Sequence, residues 1–67
     1  MIEALRTFVD DNRANAVLAA LPGPRCHDTV FYYIKNLLRD RFPGAMIEIA
    51  EGTITVCRGD IVAKVDV

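Results

Sequence analysis

The 67-residue chain contains no Ser and no Trp, a single His and only two Cys. Without Ser there is no serine nucleophile, and one His without a C-x-x-C pair cannot assemble the three or four ligands of a zinc site. Cys26 and Cys57 allow one bridge at most, which is not the dense framework of small secreted domains. No apolar run approaches the roughly 18 residues of a membrane span. The opening Met-Ile-Glu-Ala-Leu-Arg has no basic region followed by an apolar one, so no signal peptide is expected. The expected location is the cytoplasm, with both thiols reduced. An excess of charge of one sign is missing too. A formal net charge of −1 provides no overall field to draw the chain to nucleic acid or to an anionic membrane. There is no Gly-rich phosphate loop, and the one adjacent carboxylate pair, Asp10-Asp11, reads as a helix end. These absences point away from an enzyme, a cofactor or a bound metal.

What is present is apolar material: 52% of the residues are hydrophobic against 25% charged. That supports a core, and residues 1–67 are expected to form one domain. At this size the chain buries only about 60% of the surface it exposes unfolded, so stability is expected to be marginal.

Residues 1–21 have helical composition and no Pro or Gly. At about 100° per residue, Ile2, Leu5 and Val9 share one face, and Ala16, Ala19 and Ala20 extend it. Ala14, Val17, Leu18 and Leu21 follow the i, i+3, i+4, i+7 rule on a nearly opposite face. Either the helix breaks at Asp10-Asp11-Asn12, residues that favour caps and turns, or it continues with two apolar faces. Pro22-Gly23-Pro24 then makes a stiff turn.

Asp28 is the expected N-cap of the next helix, Asp28–Phe42. Val30, Phe31, Ile34, Leu37 and Leu38 form its apolar face, with Tyr32, Lys35, Asn36, Arg39 and Asp40 opposite. Pro43-Gly44 stops it.

From Ala45 onward the period is two. Ile47 and Ile49, then Ile54 and Val56, then Ile61, Ala63, Val65 and Val67 alternate with mostly polar residues. Two-residue loops at Glu51-Gly52 and Gly59-Asp60 would pair Ile49 with Ile54, Ile47 with Val56, Val56 with Ala63 and Ile54 with Val65. All the alternating apolar residues then fall on one face, and Glu48, Thr55 and Lys64 form a row on the other. The expected fold is α+β: two or three helices followed by a three-stranded antiparallel meander, in two layers.

Three short features carry candidate chemistry. Cys26-His27-Asp28 reads as a capping turn, because adjacent residues at a helix start do not face each other. Arg58-Gly59-Asp60 spells an adhesion tripeptide but reads as hairpin chemistry. Arg25, Tyr32, Lys35 and Arg39 give the middle helix a basic, aromatic stripe, with Arg41 adding charge. A helix, a tight turn, a second helix and a β-hairpin resemble winged helix-turn-helix proteins in outline, which would make that stripe a nucleic-acid face. The Glu51-Gly52 turn is acidic, however, where a wing beside phosphate should be basic.

The functional expectation is a non-catalytic protein-binding module of inhibitor or adaptor type, bound to another protein or to a second copy of itself. Its expected interface is Ile2, Leu5, Val9, Ala16, Ala19 and Ala20, left uncovered if the first helix is continuous. The alternative is a small DNA-binding regulator using the basic stripe.

Overall fold

The computed structural model describes residues 1–21 and 28–67. The Pro22-Gly23-Pro24 turn, Arg25, Cys26, His27 and the side chain of Asp28 lie outside them. Three helices precede three strands: α1 (Ile2–Asp11), α2 (Arg13–Ala19), α3 (Asp28–Arg41), β1 (Met46–Ala50), β2 (Thr53–Arg58) and β3 (Ile61–Asp66). No helix among the described residues is long and apolar enough to cross a membrane.

The first helical segment breaks. Asn12, at φ −119° and ψ 29°, stands between α1 and α2. Its amide Nδ2 donates to the Phe8 carbonyl at 2.9 Å, and its backbone N–H donates to the Phe8 and Val9 carbonyls. These bonds occupy the end of α1 with a side chain that competes well against helix continuation.

The meander forms with the expected register. Ile47 lies opposite Val56 and Ile49 opposite Ile54, while Val56 meets Ala63 and Ile54 meets Val65. Glu51 (φ 49°) and Gly52 (φ 78°) both adopt positive φ, as a type I′ turn requires. Gly59 (φ 61°) opens the second turn, so Arg58-Gly59-Asp60 is hairpin chemistry. The Val67 N–H donates to the Gly52 carbonyl at 2.8 Å and carries the β2–β3 ladder one step further.

The helices cover one face of the sheet, with α1 over β3 and α3 over β1, while α2 packs chiefly on α3. The core between the layers is Leu5, Phe8 and Val9 from α1; Ala16, Ala19 and Ala20 from the α2 segment; Ile34, Leu38 and Phe42 from the α3 segment; and Ile49, Ile54, Val56 and Ala63 from the sheet. Val30, Phe31, Leu37, Ile47, Val65 and Val67 pack around it. Ile61 shares the inner phase of β3 but is 56% exposed, because this end of the sheet reaches beyond its helical cover.

The expected interface is corrected here. Leu5, Val9, Ala16, Ala19 and Ala20 are at most 1% exposed and Ile2 is half-buried, so this stripe is core and cannot dock a partner. The opposite face is the one in solvent: Ala14 is exposed, and Val17, Leu18 and Leu21 are 38%, 45% and 49% exposed. The reason is steric. Alanines allow α2 to lie close against α3, and the Gly52 N–H donates to the Ala20 carbonyl at 2.7 Å, holding the end of α2 on the β1–β2 turn.

Candidate functional site

Among the described residues no element covers the second face of the sheet. Its side chains form three cross-strand rows, fixed by register: Met46-Cys57-Val62, Glu48-Thr55-Lys64 and Ala50-Thr53-Asp66. The first row is apolar. Met46 is 77% and Val62 63% exposed, with the half-buried Cys57 between them. The Cys57 Sγ donates weakly to the Gly59 carbonyl at 3.8 Å, which directs the thiol along the strand toward the hairpin.

The other two rows are polar. Glu48 and Lys64 are exposed and separated by Thr55, so the intervening strand holds them apart on β1 and β3. The Thr53 hydroxyl donates to the Asp66 carboxylate at 3.1 Å. A shallow open depression runs over this region, between Glu48, Ala50, Glu51, Thr53, Thr55 and Lys64. A continuous sheet face thus passes from apolar at the Arg58–Ile61 hairpin to polar at the Glu51-Gly52 hairpin.

The basic stripe of α3 is less coherent than its spacing predicts. Tyr32 and Arg39 are exposed, but Lys35 is half-buried with its ammonium 5.6 Å from the Phe31 ring centroid. The cation therefore spends part of its field on an aromatic face within the same helix. Tyr32 itself meets Phe31 edge-on at 5.2 Å and 74°. Asp40 lies beside Arg39, which dilutes the positive potential. Arg25, the fourth member of the stripe, lies outside the described residues.

Between α1 and α3 is a second open depression, lined by Phe8, Asn12, Tyr33, Leu37, Asp40 and Arg41. Its floor is apolar, and its charged rim carries one residue of each sign. Among the described residues no three His, Cys, Asp or Glu side chains converge in a way that could hold a metal ion.

Met46 and Val62 are the surface residues that pattern reading passed over. A signal for them exists: each is apolar in the outward phase of its strand, and both pair with Cys57. Single exposed apolar residues are ordinary, and only the register makes these two a group. No family model matches the chain, and no curated protein or solved structure matches it either.

Proposed function

We propose that this chain is a small non-catalytic protein-binding module, of the inhibitor or adaptor type, that works through the uncovered face of its sheet. The apolar row Met46-Cys57-Val62 is the observation that carries this reading. Three neighbouring apolar side chains on a flat, uncovered face cost free energy in water, and a partner that covers them recovers it. The polar rows beside them would supply orientation and specificity, as the rim of an interface does. The half-buried free thiol of Cys57 suits the reducing cytoplasm.

Val62→Glu and Met46→Glu test this directly. Both positions are exposed, so far-UV circular dichroism and the melting temperature should match the wild type. Polypeptides retained by the tagged wild-type chain should be lost with either variant. The reading fails if the variants retain the same polypeptides. It also fails if nucleic acid is what co-purifies, with an affinity falling steeply as salt rises, and Tyr32 and Arg39 would then mark the surface to pursue.

A further inference from the structure

Building on that reading, we infer that the partner of the uncovered sheet face is a second copy of the same chain, packed face to face about a two-fold axis parallel to β2. The register supplies the argument. A two-fold axis along the central strand lays β1 of one copy over β3 of the other, at the same level along the strands. Glu48 then faces Lys64 of the second copy, and Lys64 faces Glu48, which makes two reciprocal ion pairs. In the same arrangement Met46 faces Val62 and Val62 faces Met46, while Cys57 and Thr55 lie on the axis opposite themselves. Apolar meets apolar and each charge meets its opposite.

The other face-to-face symmetry does the reverse. An axis perpendicular to the strands and passing over Thr55 lays β1 over β1 and β3 over β3, so Glu48 meets Glu48 and Lys64 meets Lys64. Like charges across a desolvated contact repel, so the same residues that favour one dimer disfavour the other. Within one chain the pair is unused: among the described residues neither Glu48 nor Lys64 has an ion-pair partner, and Thr55 stands between them. Asp66, which would face Ala50, is already taken up by the Thr53 hydroxyl.

The face is small. Three strands about 4.8 Å apart and five residues rising about 3.4 Å each give roughly 14 Å by 17 Å. That is well below the ~800 Å² per partner of a standard interface. The dimer should therefore form at high concentration, dissociate on dilution, and weaken as salt screens the ion pairs.

A charge exchange tests the geometry. Sedimentation velocity on the pure chain, from micromolar to millimolar, should show a concentration-dependent monomer–dimer equilibrium. Glu48→Lys places two cations opposite each other at both contacts, and Lys64→Glu places two anions there, so each variant alone should stay monomeric while keeping its circular dichroism. Mixing the two should restore a 1:1 dimer, because every Lys then faces a Glu. The double variant Glu48→Lys/Lys64→Glu should dimerise by itself. If either exchange perturbs folding, Glu48→Gln/Lys64→Gln replaces it and should leave a weaker dimer that no longer responds to salt. A wild-type chain that is monomeric at millimolar concentration, single variants that still dimerise, or a mixture that stays monomeric would each overturn the proposal. Monomeric wild type together with a captured polypeptide lost in Val62→Glu would leave the protein-binding reading standing with a different partner.

Discussion

The N-terminal helical segment and the C-terminal meander are both amphipathic, yet they use their apolar residues in opposite ways. In the meander Ile49, Ile54 and Val56 of the inner phase are buried and the outward phase is mostly polar. In α2 the small side chains of Ala16 and Ala19 are buried while Val17 and Leu18, with Ala14, stand in solvent. A strand can bury only every second residue, so its pattern names its inner face. A helix with apolar residues on two faces leaves the choice to its neighbours. Here the neighbour is α3 at close range, and fit outweighs side-chain hydrophobicity: a shallow Ala surface packs where Leu would not enter.

The sharpest way to break this contrast lies in the sheet. Val56→Asp puts a charge where nothing can pair with it, which costs on the order of 4 kcal/mol and should unfold a domain of this size. Thr55→Asp, one residue away on the outer face, should fold. Urea unfolding followed by circular dichroism checks both, and equal behaviour would contradict the register.

In α2 the expected ranking inverts hydrophobicity. Ala19→Leu adds apolar volume to a filled contact and should destabilise by about 1–3 kcal/mol. Ala16→Glu should unfold the domain, because the site is buried in this chain. If instead Ala16→Glu left helicity intact and removed association, the alanine stripe would be a surface after all.

The tie between the two regions should show a smaller effect. Gly52 takes φ 78° in the β1–β2 turn while its N–H holds the Ala20 carbonyl. No heavy atom outside its immediate neighbours lies within 4 Å of a Cβ added there, so Gly52→Ala costs conformational strain alone, about 1 kcal/mol. A much larger loss would mean that the turn moves and releases α2 with it.

The smallest effect is expected on the solvent face of α2. Leu18→Lys should change unfolding free energy by no more than about 0.5 kcal/mol. A large loss there would show that Leu18 is covered in solution.

Much of the fold is legible in the residues. The two Gly-containing turns are two residues long, and the alternation on either side agrees with them, so register, strand order and inner face follow from local rules. The apolar face of α3 is equally readable, because Ile34 and Leu38 are spaced to share it and Tyr32 and Arg39 fall outside. The α1–α2 break is half legible: Asn12 is a good terminator, but a helix could have run through it. The candidate binding surface is the least legible part. Met46 and Val62 are 16 positions apart in the chain, and they become one patch only when both pair with Cys57.

The sequence by itself determined the order of elements, the positions of the turns and which phase of each strand is apolar, because these depend on neighbours a few residues away. Tertiary structure decided which face of the N-terminal segment is inside and which side of the sheet stays open. Those outcomes depend on how closely α2 can approach α3 and on how many helices exist to cover two sheet faces. Among the described residues α1 and α3 both lie on the inner face, so no helix covers the outer one, and its apolar row stays in solvent.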